Sequence, residues 1–272
     1  MKGIALGQYY PANSFLHKTD PRIKIILSIL FIICSFICKN VFSFALLALG
    51  SIALIIIGKI PLRIVFKGLK PILIVLIITS LFNILWTAGE TSLLSWWIFD
   101  IYLEGIYAAV FMVVRITSLV IGTTMFLTYT TTPIALTDAI EDLLSPLKKL
   151  RVPVHEFAMM MTIALRFIPT LVEETDKIMT AQKARGIDFS SGSLIKRAKA
   201  LIPILIPLFV SAFNRASDLA TAMECRCYHG GEGRTRMKVR YLKFSDFIPL
   251  IIMVAFSAGL VTFNILGWIY TM

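Results

Sequence analysis

Five stretches of this sequence are apolar over the length needed to cross a bilayer, and they commit the chain to a helical membrane architecture. A hydrocarbon core takes about 20 mostly apolar helical residues, with about 17 tolerated. The stretches cover roughly 23–38, 41–58, 71–87, 101–128 and 246–270, and Phe, Ile, Leu and Val dominate all of them. Hydrophobic residues make up 57% of the chain, against about 45–50% in soluble domains.

Basic residues between these stretches set an orientation. The chain carries 27 Lys and Arg against 16 Asp and Glu, a net charge of +11. In a soluble protein that balance points toward nucleic acid. Here the bias follows from retention of Lys and Arg on the cytoplasmic side, and no nucleic-acid partner is expected. Counted in order, with Lys24 at the edge of the first span taken with the N-terminal residues 1–24, the segments carry 4, 1, 4, 0, 17 and 0 Lys or Arg, and Arg115 lies inside the fourth span. The N-terminus and residues 129–245 are therefore expected in the cytoplasm and the C-terminus outside. The organisation expected is an N-terminal membrane domain of four spans (1–128), a cytoplasmic domain (129–245) and a C-terminal span (246–272). The fold class is an all-α membrane protein of about five transmembrane helices, with long amphipathic helices between spans 4 and 5.

Residues 129–245 hold three helix-length pieces. Thr132-Pro133 reads as an N-cap with proline at the first helical position, and Pro146 ends or bends that helix. A second piece runs over 154–185. Phe167, Leu171, Ile178 and Gln182 share a stripe with Ile168, Val172 and Met179, while Glu173, Glu174, Asp176, Lys177 and Lys183 lie on the other side. Gly186 follows at the natural C-cap position. A third piece runs over 194–226. Its apolar middle, 201–213, contains Pro203 and Pro207 and is short for a span. Thr180-Ala181-x-x-x-Arg185 matches Thr221-Ala222-x-x-x-Arg226 at an offset of 41 residues. Each helix thus ends on an arginine, whose planar fork suits a carboxylate.

Several chemistries are excluded or disfavoured. No G-x-x-x-x-G-K-[ST] occurs, so no P-loop binds ATP here. No span carries a His, Asp or Glu pair suited to acid–base work. Cys225, Cys227 and His229 are too closely spaced for an ordinary zinc site and lack a fourth ligand, so no metal is expected. Arg115 is an intramembrane functional candidate by its position; the alternative is that it caps carbonyls or pairs within the bundle.

The motifs carry a resemblance. Ser14-Phe15-Leu16-His17-Lys18-Thr19-Asp20-Pro21-Arg22-Ile23-Lys24 and Leu127-Thr128-Tyr129-Thr130-Thr131-Thr132-Pro133 look like motifs of the transmembrane T component of energy-coupling-factor transporters, the family that includes CbiQ-type proteins. More specific are Arg166-Phe167-Ile168-Pro169-Thr170-Leu171 through Ala184-Arg185-Gly186, and Ala222-Met223-Glu224-Cys225-Arg226-Cys227-Tyr228 through Gly230-Gly231-Glu232-Gly233-Arg234-Thr235-Arg236.

The resemblance implies a non-catalytic subunit of an ATP-driven importer in the bacterial cell membrane. It would join two cytoplasmic ABC ATPases, which carry ATP and Mg, to a separate membrane subunit that binds a vitamin or metal ion. This chain itself would bind no cofactor. Ala184, Arg185 and Gly186 map cleanly onto the family's Ala-Arg-Gly docking motif. The second motif departs, with Cys225-Arg226-Cys227 in its place, and Cys227 lacks glycine's ease at positive φ. The substrate-binding subunit would be gripped by Phe167, Ile168, Leu171, Leu201, Ile204, Leu205 and Leu208. The rival reading is a self-contained ABC-type permease with its own substrate path.

Overall fold

The computed structural model describes residues 9–87, 92–96, 99–189, 193–231, 242 and 244–270. The described residues are overwhelmingly helical. In chain order they form α1 (Phe15–Lys18), α2 (Pro21–Ile37), α3 (Val41–Gly58), α4 (Leu62–Trp86), α5 (Leu103–Thr123), α6 (Pro133–Leu144), α7 (Val154–Ala184), α8 (Leu194–Cys225) and α9 (Phe244–Tyr270). One departure from an all-helical reading is a small antiparallel hairpin between α4 and α5, β1 (Ser92–Trp96) and β2 (Phe99–Tyr102), pairing Ser92 with Tyr102 and Trp96 with Phe99. Tryptophan, phenylalanine and tyrosine favour extended chain, which explains a hairpin where the sequence reads only as a loop. Trp97 and the glycine-rich tail beyond Gly231 lie outside the described residues.

The chain divides into two compact units. The first contains α1 to α5, the start of α6, and α9. Its core joins Leu27, Phe31 and Cys34 of α2 to Phe44 and Leu47 of α3, Phe126, and Met253 and Leu260 of α9. Without water to drive apolar faces together, helices in a membrane associate where small residues admit close packing. Gly122 of α5 lies directly against the Phe31 ring, leaving no room for a Cβ, and a Cβ on Gly50 of α3 would sit 2.7 Å from Phe256 of α9. Elsewhere α4 turns large apolar side chains such as Phe66, Ile74 and Trp86 outward.

Helix lengths refine the spans. Val41–Gly58, Leu62–Trp86, Leu103–Tyr129, Ile195–Cys225 and Phe244–Ile265 are long and apolar enough to cross a membrane. The number five agrees with the sequence reading, but the membership differs. α2 has only 17 residues, about 25 Å at helical rise, and α8 qualifies in its place. α4 begins at Leu62, so Arg63, Lys67 and Lys70 are helical residues preceding its apolar part.

The short α2 ends in a turn whose backbone is capped by side chains from two other helices. Arg115 of α5 donates from Nη2 to the Cys38 carbonyl at 3.0 Å, its guanidinium 5.1 Å from the Phe44 ring centroid. Asn264 of α9 donates from Nδ2 to the Ile37 carbonyl, and its Oδ1 accepts from the Lys39 N–H at 3.1 Å and the Ser43 hydroxyl at 3.0 Å. Irregular backbone at membrane depth requires partners of this kind.

At its other end α5 runs into a π-helical turn, Thr124–Tyr129. Thr132 then caps α6, its Oγ1 accepting from the Ala135 N–H at 3.4 Å. The second unit holds the rest of α6 with α7 and α8. Pro146 falls in a 3-10 turn, Ser145–Leu150, which closes on Arg151 at φ 60°.

Candidate functional site

α7 and α8 end in the same way. Arg185 is the C-cap of α7, with φ −84° and ψ 8°, and Arg226 is the C-cap of α8, with φ −93° and ψ 13°. After Arg185, the Gly186 N–H donates to the Lys183 carbonyl at 3.0 Å and the Ile187 N–H to the Gln182 carbonyl at 3.1 Å. After Arg226, the Cys227 N–H donates to the Glu224 carbonyl at 2.9 Å and the Tyr228 N–H to the Met223 carbonyl at 3.1 Å. This is one Schellman motif built twice. The residue after each arginine is left-handed, Gly186 at φ 85° and Cys227 at φ 57°. Cys227 therefore adopts the backbone that glycine adopts more readily. Ala184, Arg185, Gly186, Cys225, Arg226 and Cys227 are all exposed. The Cys227 carbonyl is hydrogen-bonded to His229 Nδ1 at 2.9 Å.

The two helices run antiparallel where they touch. Gln182 of α7 lies opposite Pro203 of α8, and Glu174 lies opposite Ser211 and Arg215. Each contact has a physical origin. Pro207 has no N–H, so the Pro203 carbonyl four residues earlier lacks its helical donor. Gln182 Nε2 supplies one at 3.3 Å. Glu174 accepts from the Ser211 hydroxyl on Oε1 and from Arg215 Nη2 on Oε2 at 2.9 Å. The Ser211 hydroxyl, with the Arg215 charge behind it, holds the Glu174 carboxyl below the usual range despite some desolvation.

The apolar residues singled out in the sequence are not equivalent. Leu201 and Leu205 are exposed, whereas Phe167, Ile168, Leu171 and Leu208 are half-buried. Ile204 is 4% exposed in the chain on its own. Sequence reasoning passed over Ile202, Ile206, Phe209, Val210 and Phe213, all well exposed. Their position in the same apolar run as Leu205 was the available signal. It also passed over Ser211 and Arg215; the 41-residue offset relating Glu174 to Arg215 could have pointed to that pair.

The Ser14–Lys24 and Leu127–Pro133 motifs meet in the first unit. Lys24, 2% exposed, donates from Nζ to the Thr130 carbonyl at 2.8 Å and to Thr131 Oγ1 at 3.3 Å. The Tyr10 N–H donates to the Tyr129 carbonyl at 3.0 Å. His17, itself bonded to Ser14 Oγ at 2.7 Å, reaches the Tyr10 carbonyl at 2.8 Å. Arg115 stands apart from all of this, occupied with the Cys38 carbonyl.

Long apolar helices describe a multi-pass membrane protein, and its charged helix pair carries matched arginine ends. The family follows from comparison with known proteins: residues 12–238 match the CbiQ family, described as cobalt transport protein, and the chain belongs to it. It is 54% identical over 255 residues to the energy-coupling factor transporter transmembrane protein EcfT of Ruminiclostridium cellulolyticum, covering 93% of this chain and 95% of that one. The protein of the same name from Clostridium kluyveri is 51% identical over 91% of this chain and 92% of its own length. That of Bacillus subtilis is 46% identical over 95% and 97%.

Proposed function

We propose that this subunit transmits the work of two cytoplasmic ABC ATPases to a separate substrate-binding membrane subunit, driving uptake of a vitamin or metal ion. ATP and Mg belong to the partner chains, and this chain performs no catalysis. Arg185 docks on one ATPase and Arg226 on the other, each guanidinium entering an acidic groove. The observation that carries this reading is the repeated cap: two exposed arginines on one backbone geometry, at the C-termini of two antiparallel helices.

In this arrangement α7 and α8 lie on the cytoplasmic side and the N-terminus is cytoplasmic. Placing α8 across the bilayer would send Arg226 and the basic residues after it to the outside, against the positive-inside bias. The C-terminus is then outside. Leu201 and Leu205, with the exposed apolar residues that follow on α8, contact the substrate-binding subunit.

The test is charge reversal at each cap. Arg185→Glu and Arg226→Glu are expected to abolish co-purification with the ATPases and ATP-driven uptake while the chain still inserts. Wild-type uptake in both variants overturns the docking roles. A self-contained permease would bind labelled substrate when purified without other membrane subunits; absence of such binding is the expected result.

A further inference from the structure

The contact between α7 and α8 repeats the offset that relates their tips. Glu174 and Arg215 are 41 residues apart, as are Arg185 and Arg226. Each member of the ion pair thus stands 11 residues, about 16 Å of helix, before the arginine that ends its own helix. Because the helices are antiparallel, the pair sits midway between two tips that point in opposite directions.

Ile204 is the one buried side chain among the described residues of α8. The α8 backbone is interrupted by Pro203 and Pro207, and that of α7 by Pro169. A proline removes a helical hydrogen bond and lets the helix bend at that point. In α7 the proline precedes Glu174, and in α8 both prolines precede Ser211 and Arg215. The helix between the brace and each tip is therefore free of proline, three turns on either side.

We infer that Glu174, Ser211 and Arg215 form a positioning brace that makes the two arginine-tipped ends move as one body, so that displacement of one tip is passed to the other. This rests on the docking roles proposed for Arg185 and Arg226. A rigid segment on each side of a fixed centre behaves as a lever. Without the centre, each tip follows its own ATPase and the proline-broken N-terminal part of each helix absorbs the motion. The brace is thus needed for coupling, while docking itself depends on the caps.

The experiment uses Glu174→Arg, Arg215→Glu, the exchanged double variant, and the milder Glu174→Gln. Assembled with ATPases and substrate-binding subunit, the two reversals are expected to co-purify with the ATPases and hydrolyse ATP. The number of ATP molecules used per substrate imported should rise at least tenfold. The exchanged pair should recover most of the parental ratio, and Glu174→Gln, which keeps an acceptor for Ser211, should fall between. Unchanged ratios in the reversals, or an exchanged pair no better than either reversal, overturn the inference.

Amide hydrogen exchange on the full chain without ATPases separates this from the docking reading. Protection over 171–182 and 203–217 should drop about tenfold in the reversals and return in the exchanged pair. Unaltered protection rejects the brace whatever the ATPases do. Normal uptake by the Arg185 and Arg226 reversals rejects docking and leaves this exchange measurement standing.

Discussion

Gly186 and Cys227 hold the same place in the same capping motif, at φ 85° and φ 57°, although only one of them is a glycine. A Cβ in the left-handed region costs about 1–2 kcal/mol. The two ends are alike in geometry and unlike in strain.

Cys227→Gly is therefore expected to stabilise the end of α8, and Gly186→Ala to destabilise the end of α7 by about 1–2 kcal/mol. No atom lies within 4 Å of a Cβ added at Gly186, so the effect there is purely conformational. Thermal unfolding of the purified chain, with exchange at 182–187 and 223–228, reads both; equal and opposite shifts are the expected pattern.

Arg115→Ala leaves the Cys38 carbonyl without its donor at the end of a short helix. Exposing an unsatisfied buried acceptor costs about 1–3 kcal/mol. The expected result is a lower unfolding temperature, partly restored by Lys, with substrate affinity of the assembled transporter unchanged. A changed affinity at unaltered stability would instead make Arg115 part of a transport path.

Lys24→Met removes a charged donor from the Thr130 carbonyl and the Thr131 hydroxyl. Hydrogen bonds to charged groups contribute about 1.5–3 kcal/mol. Faster amide exchange over 127–136, at the junction of α5 and α6, is the expected signature, with the remainder of α5 protected as before.

Gly122→Val places two methyl groups where the Phe31 ring already stands. Overpacking of this kind costs about 1–3 kcal/mol. Reduced yield of folded chain is expected, and Gly122→Val combined with Phe31→Leu should recover part of it.

Acid sensitivity follows from Glu174. Its carboxyl is depressed in the folded chain by Ser211 and Arg215. The contribution to stability is complete above the unfolded carboxylate range and is lost as pH falls through the folded value. Glu174→Gln should flatten the acid limb of stability against pH by lowering stability at neutral pH while leaving the acid end little changed.

Much of the second unit was legible in the sequence because its signals are local. The amphipathic stripe from Phe167 to Gln182 and Gly186 after Arg185 fix a helix face and an end, and the observed α7 and α8 begin and stop within a residue of the expected limits. What stayed hidden depends on contacts between helices. Arg115 has a backbone carbonyl as partner, so a search for an opposing acid finds nothing. Ile204 is buried although its own run reads as uniformly apolar. Lys67 and Lys70 look like loop charges because hydropathy marks where apolar character begins, while the α4 backbone starts at Leu62.

The π-helical turn at Thr124–Tyr129 has a consequence for chain length. A wide turn of this kind accommodates one residue more than an α-helix of equal rise. Shortening the segment by a single residue would let it rewind as ordinary helix with the chain on either side keeping its bearing. Thr130 and Thr131 would still face Lys24. The extra residue is a slack loop taken up within one turn, so homologous chains lacking it should keep a lysine at the place of Lys24.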